Sequence, residues 1–160
     1  VTDFKGILQT LANTGVRFIV IGGAAAIAHG AARLTQDVDV VYDREPDNLE
    51  RLAQALHPHH PYLRGAPPNL PFKLDVPTLE RGLNFTLTTD LGPLDLLGEV
   101  TGGGTYQDLL ADTLEIEVFG VTCRCIDLTT LIKVKRAAGR PKDFEAIAEL
   151  EALADEQRGS

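Results

Sequence analysis

The sequence predicts an α/β fold of the α+β type, a mixed sheet with flanking helices, and three stretches carry that expectation. Phe18-Ile19-Val20-Ile21 is a wholly apolar run that ends in Gly22-Gly23, as a buried strand does when it breaks into a sharp turn. Asp37-Val38-Asp39-Val40 alternates charged and apolar residues with the period of a strand. Residues 83–97 and 114–126 each hold two strand-like runs about a turn, at 90–93 and at Gly120, which predicts two hairpins.

The remaining elements follow in order. Phe4, Ile7, Leu8 and Leu11 recur at helical spacing, so residues 2–13 are expected as an amphipathic helix, capped by Thr2 or Asp3 and ended by Thr14-Gly15. Residues 17–21 are the first strand. Gly22-Gly23 make the turn, residues 24–29 a short Ala-rich helix stopped by Gly30, and residues 31–36 a loop into a strand over 37–42. Pro46 suits the first turn of a helix over 45–56 that carries Leu49, Leu52, Ala53 and Leu56 on one face. Residues 57–77 contain six of the nine prolines and are expected to be irregular. His57, His59 and His60 lie there without regular ligand spacing and read as ordinary loop residues. Arg64, in the same segment, has the length to reach a phosphate, but nothing in the sequence places it. Gly102-Gly103-Gly104 lacks both the dinucleotide-site spacing and the Lys-Ser/Thr of a P-loop, so it reads as a loop. A short helix is expected over 106–111. Asp127 or Thr129 then caps a helix running to Ala138, Gly139 ends it, and Pro141 opens the last helix to about residue 155.

A chain of 160 residues is read as a single domain with one core, and 44% apolar and 24% charged residues are ordinary for a globular protein. No apolar run approaches the length of a membrane span, and no signal peptide is recognised, so a cytoplasmic protein with no membrane partner is expected. Cys123 and Cys125, the two cysteines, share a strand face, are badly placed for a mutual disulfide, and read as packed thiols. The net charge of −8 argues against general nucleic-acid binding. Charge is uneven, however: Arg124, Lys133, Lys135, Arg136, Arg140 and Lys142 cluster late in the chain, either as a solvated helix face or as a local basic surface.

The chemistry centres on the acids. Side chains at i and i+2 of a strand share a face, so Asp37 and Asp39 project side by side. Two such carboxylates repel and lose solvation, and a cation between them relieves both costs. Asp95 is a third acid, flanked by leucines in a strand, which is costly unless it is paired or ligated.

Ile21-Gly22-Gly23, a spacer of thirteen residues, and then Asp37-Val38-Asp39-Val40 resemble the signature of the nucleotidyltransferase superfamily with the DNA polymerase β-like core. That signature is an apolar residue, Gly-Gly or Gly-Ser, a spacer, and Asp-x-Asp/Glu within a strand, completed by a third acid on a later strand. Asp95 in GPLDLL matches the third acid by order and context. The closing segment LIKVKRAAGRPKDFEAIAEL is similar to the C-terminal motif of compact bacterial nucleotidyltransferases related to the AbiEii toxins, with Lys135 and Asp143 at its lysine and aspartate. Lys133 lies two residues from Lys135 and stands as the alternative phosphate ligand. Gly23 is followed by Ala24 and Ala25, so the local sequence offers no hydroxyl at the turn.

The resemblance implies a nucleotidyltransferase-like core with a short C-terminal helical segment. It also implies a two-metal transfer of NMP from an NTP. Asp37, Asp39 and Asp95 would hold Mg²⁺ or Mn²⁺, and Asp95 would help activate the attacking hydroxyl. Gly22 and Gly23 would admit the phosphates, with N–H groups of the following helix. Lys135 would neutralise the triphosphate, Asp143 would orient that lysine or another site element, and Arg33 and Thr35 would touch the γ-phosphate or the acceptor. The implied acceptor is the 3′ end of tRNA or a partner protein, and the implied setting is a toxin–antitoxin or defence system with a cognate antitoxin or toxin. The alternative is a non-catalytic nucleotide-binding or antitoxin-like interaction module.

Overall fold

In the computed structural model, which describes residues 2–32 and 34–159, the apolar run Phe18–Ile21 is strand β1, buried along its whole length. The chain runs α1 (Phe4–Asn13), β1, α2 (Gly22–Ala28), β2 (Val38–Tyr42), α3 (Pro46–Leu56), β3 (Tyr62–Leu63), α4 (Val76–Arg81), β4 (Asn84–Thr89) and β5 (Gly92–Leu97). It continues through β6 (Glu99–Val100), β7 (Gly104–Thr105), α5 (Tyr106–Leu109), β8 (Thr113–Val118), β9 (Val121–Ile126), α6 (Leu128–Ala138) and α7 (Pro141–Arg158). Seven strands form one sheet in the order β3-β4-β5-β2-β1-β9-β8, while β6 and β7 pair apart from it. The sheet is mixed: β2 runs parallel to β5 and β1 to β9, and the other neighbours are antiparallel.

Burial follows position in the sheet. Strand β1, between β2 and β9, is apolar at every position, whereas β4 alternates exposed and buried residues until its last position. One hydrophobic cluster joins Ile7, Leu8 and Leu11 of α1, Leu49 and Leu52 of α3, Leu131 of α6 and Leu150 of α7 to the strands. Helices α1 and α3 pack together, and so do α6 and α7. No helix among the described residues is long and apolar enough to cross a membrane.

The ends of β1 and β2 are tied by a buried amide. Asn48 is 0% exposed. Its Oδ1 accepts the Arg17 N–H at 2.7 Å, and its Nδ2 donates to the Arg17 carbonyl at 3.1 Å and the Asp43 carbonyl at 2.7 Å. Removing the amide strands the Arg17 N–H and the Asp43 carbonyl, while the Arg17 carbonyl keeps only the Asp43 N–H at 3.2 Å. Asn48→Ala is therefore expected to destabilise the protein by roughly 2–4 kcal/mol, read as a shift in urea midpoint at an unchanged m-value.

Several boundaries depart from the sequence expectation. Helix α2 begins at Gly22, not Ala24, so both glycines lie in its first turn. Strand β2 begins at Val38, with Asp37 just before it. Residues 57–77 are not wholly irregular: they include a 3₁₀ turn at His57–His59, β3 and the start of α4. Helix α4 is not among the expected elements, since its start falls in the proline-rich segment read as irregular. Pro77 sits in its first turn, after Asp75 accepts the Thr78 N–H at 3.0 Å as N-cap. Of the triglycine segment, Gly102 and Gly103 lie in the turn of the β6–β7 ribbon and Gly104 begins β7. Asp3 and Asp127, not Thr2 or Thr129, cap α1 and α6, through bonds of 2.9 Å and 2.8 Å.

Candidate functional site

The site is assembled by strand register. In the sheet, Ile21 of β1 faces Asp39 of β2, and Asp39 faces Asp95 of β5. Three adjacent strands thus bring the Gly-Gly turn, the second acid and the third acid into one row. Asp37, two residues before Asp39, opens into the same cleft. The cleft measures about 330 Å³ and is lined by Gly22, Gly23, Thr35, Asp37, Asp39, Asp95, Lys135, Arg140, Lys142 and Asp143.

The glycines are required by contact. Gly22 has φ +65°, and a Cβ there would fall inside van der Waals contact of Asp39 Oδ2. A Cβ on Gly23 would meet Thr35 Oγ1 at 2.6 Å. The hydroxyl missing from the local sequence at the turn is therefore supplied by Thr35, from the loop before β2. Thr35 Oγ1 donates to the Asp37 carbonyl at 3.2 Å, and Glu149 of α7 accepts the Ala32 N–H at 3.1 Å, so the loop is fastened at both ends.

The electrostatics are strongly biased. Burial pushes the Asp39 carboxyl up to about 7, helped by the charge of Asp95, a hydrogen bond shared with Asp95 and the charge of Asp37, while Lys135 opposes the rise. Asp39 Oδ1 is buried and has no hydrogen bond. Burial lowers the Lys135 ammonium from its ordinary value, and Arg140 and Lys142 add to that, against the pull of Asp143 and Asp39. Burial alone would raise the Asp143 carboxyl. The hydrogen bond and charge of Arg140, with the charge of Lys135, outweigh it and hold the group below its ordinary value.

Asp143 is 2% exposed and sits in the first turn of α7. It accepts from Arg140 Nε at 2.7 Å and Arg140 Nη2 at 3.2 Å. Its contacts make it a helix-start residue that fixes Arg140 beside Lys135.

Asp37, Asp39, Asp95, Lys135, Asp143, Gly22, Gly23 and Thr35 thus share one cleft. Lys133 does not join them. It is exposed and lines a separate groove with Arg136, Glu151 and Asp155, because two residues along a helix turn a side chain far round the axis. That resolves the choice between the two lysines as cleft residues in favour of Lys135. Arg136 pairs with Glu151, so the late basic cluster is split between two faces. Arg33 lies outside the described residues.

Sequence reasoning gave Arg64 the length to reach a phosphate but no place, and left Arg140 and Lys142 as members of the basic cluster. Arg140 and Lys142 flank Pro141, and only the fold of α6 back against α7 brings them over the acids. Arg64 follows β3 at the sheet edge, and its Nη2 donates to Asp95 Oδ1 at 2.8 Å.

Among the described residues no three acidic, histidine or cysteine side chains form a ready-made metal cage, and Asp95 is engaged by Arg64. The donor set nonetheless fits a hard divalent cation: carboxylate oxygens from Asp37, Asp39 and Asp95, with Asp39 Oδ1 buried and unbonded. Cys123 and Cys125 are free and buried, and burial drives their thiols up to about 11 and about 12, so they are inert packing residues.

No protein-family model matches the chain, and no curated protein matches it either. Solved structures do. The lincosamide antibiotic adenylyltransferase LnuA, bound to lincomycin, is similar over 95% of this chain and 98% of its own, with TM-score 0.62 and 16% identity. ANT(2″)-Ia in complex with adenylyl-2″-tobramycin matches over 98% of this chain and 96% of its own, with TM-score 0.56 and 14% identity. A candidate nucleotidyltransferase from Thermotoga maritima matches over 98% and 91%, with TM-score 0.52 and 13% identity. The chain therefore has the fold of these nucleotidyltransferases, over nearly its whole length.

Proposed function

We propose that this protein is a divalent-metal-dependent nucleotidyltransferase that moves NMP from an NTP to an acceptor hydroxyl. One observation carries the reading: strand register lines up Ile21, the residue before Gly22, with Asp39 and Asp95, and Lys135 of α6 lines the same cleft. A fold match alone allows many activities. Carboxylates opposed by lysine and arginine across an open cleft suit a polyphosphate bound through a cation.

In this reading Asp37, Asp39 and Asp95 hold Mg²⁺ or Mn²⁺. When bound, the cation neutralises phosphate charge and polarises the phosphoryl oxygens. Gly22 and Gly23 let the backbone approach the phosphates, and Thr35 offers a hydroxyl beside them. Lys135, Arg140 and Lys142 balance charge on the triphosphate as the leaving group departs. Asp143 positions Arg140. Asp95 accepts the proton of the attacking hydroxyl. Lys135→Ala is expected to lower kcat/KM for the NTP by roughly 10²-fold, with Lys133→Ala within about twofold of wild type, both from initial rates at saturating acceptor.

For the acceptor we propose the 3′ end of tRNA or a partner protein, in a toxin–antitoxin or defence setting with a cognate antitoxin or toxin. The C-terminal block with Lys135 and Asp143 is what supports the AbiEii-related type. LnuA and ANT(2″)-Ia mark the alternative, a hydroxyl on a small antibiotic. The test incubates the protein with Mg²⁺ or Mn²⁺ and each α-labelled NTP, with total tRNA, cell extract, lincomycin or tobramycin in parallel. Label transfer to one acceptor, absent with Asp39→Ala, is the expected result. Equal background for wild type and variant with every acceptor would overturn the proposal.

A further inference from the structure

The acidic row already holds a cation. Arg64 Nη2 lies 2.8 Å from Asp95 Oδ1, and its Nη1 lies 3.8 Å from Asp37 Oδ2. The guanidinium therefore spans the first and third carboxylates, the two that flank Asp39. Its hold does not depend on Asp95 alone. Nη2 also donates to the Leu87 carbonyl on β4 at 2.6 Å, and the Arg64 backbone N–H donates to the Thr86 carbonyl at 2.9 Å. Thr86 is in register with Asp95 itself, so β4 sets the arginine directly against the third acid. Arg64 Nε is buried and makes no hydrogen bond.

We propose that Arg64 is an internal counter-ion that competes with the divalent cation for Asp95, so that loading the site with metal requires the Arg64–Asp95 pair to open. The inference rests on the metal-dependent reading given above. In the metal-free protein Arg64 relieves the repulsion among three neighbouring carboxylates. A dication bound by the same row would face a fixed positive charge within bonding distance of one of its ligands, and one of the two cations must yield. The Leu87 carbonyl lets Arg64 yield without leaving: it retains one acceptor when Asp95 turns to the metal. Arg64 is thereby a positioning residue that sets the metal concentration at which the site fills.

Two measurements test this without turnover. The first is calorimetric titration of Mn²⁺ into wild type and Arg64→Gln in the absence of NTP. The variant is expected to bind Mn²⁺ roughly fivefold to tenfold more tightly. Equal or weaker binding by the variant overturns the inference and leaves the metal site standing. Absence of Mn²⁺ binding by both proteins overturns the metal-site reading and this inference with it. The second measurement uses the wild-type protein alone. The guanidinium ¹⁵N–¹H signals of Arg64 are followed while Mg²⁺ is added. The Asp95-bound Nη signals are expected to lose their restricted rotation as the site saturates. A pair that stays intact at saturating Mg²⁺ overturns the competition.

Discussion

Asp39→Asn is expected to lower nucleotidyl transfer by on the order of 10³-fold or more and, in the same protein, to raise the melting temperature of the metal-free state. The two effects share one cause. Asp39 is held among Asp37 and Asp95 in a buried setting, with one oxygen that no protein group satisfies. Charging it there costs free energy that Lys135 offsets only in part and that a bound cation would return. The sign follows from proton linkage. The carboxyl is raised to about 7 in the folded protein, above the ordinary value of about 3.9 in an unfolded chain. Between those values the folded state holds more protons than the unfolded one, so stability falls as pH rises from about 4 to about 7. The loss is on the order of 2–4 kcal/mol. Thermal unfolding in a chelator should show wild type losing stability across that window and Asp39→Asn losing much less, with the variant melting roughly 4 °C or more higher at pH 8. Mg²⁺ should stabilise wild type more at pH 8 than at pH 5. A variant that melts below wild type in chelator at pH 8 would contradict this account of the site.

The second large effect is expected at Gly22. Gly22→Ala places a methyl group against the Asp39 carboxylate, at a backbone angle of φ +65° that L side chains rarely adopt. Both costs fall on the reacting end of the cleft. Transfer is expected to fall by roughly 10² to 10³-fold, with a stability loss of about 1–3 kcal/mol. Gly23→Ala provides the internal comparison. Its added Cβ meets the Thr35 hydroxyl at 2.6 Å, an obstacle on a loop side chain that can rotate, and its backbone angle is ordinary. The expected order is therefore Gly22→Ala far below Gly23→Ala in kcat/KM, with denaturation curves run on both. An inverted order would mean that Thr35, rather than Asp39, is the group the glycines make room for.

Much of the fold is legible in the residues themselves. The 18–21 run is apolar at every position because it lies between two other strands, and the alternation at 84–89 follows from a strand with one face on the core. Helix boundaries miss where local chemistry misleads. Pro77 belongs to a proline-rich segment that reads as irregular and is a first-turn residue, and Gly22-Gly23 look like a turn before a helix and lie within its first turn. Within the site, Asp37 and Asp39 are readable because a strand's two-residue period is a local property.

Which residues are costly to leave alone is written in the residue order: two neighbouring acids, a third acid between leucines, and glycines at a strand end. How those costs are met depends on the folded chain. The fold placed Asp95 next to Asp39 through a parallel pairing of β2 with β5, a long-range register that no local pattern encodes. It chose Lys135 over Lys133 by turning one face of α6 to the cleft, returned a hydroxyl to the Gly-Gly turn from Thr35, and brought Arg64 from the sheet edge onto Asp95. Each of these joins groups far apart in the chain, or selects among equivalent neighbours by the angle at which a helix packs, and that is decided by the core as a whole.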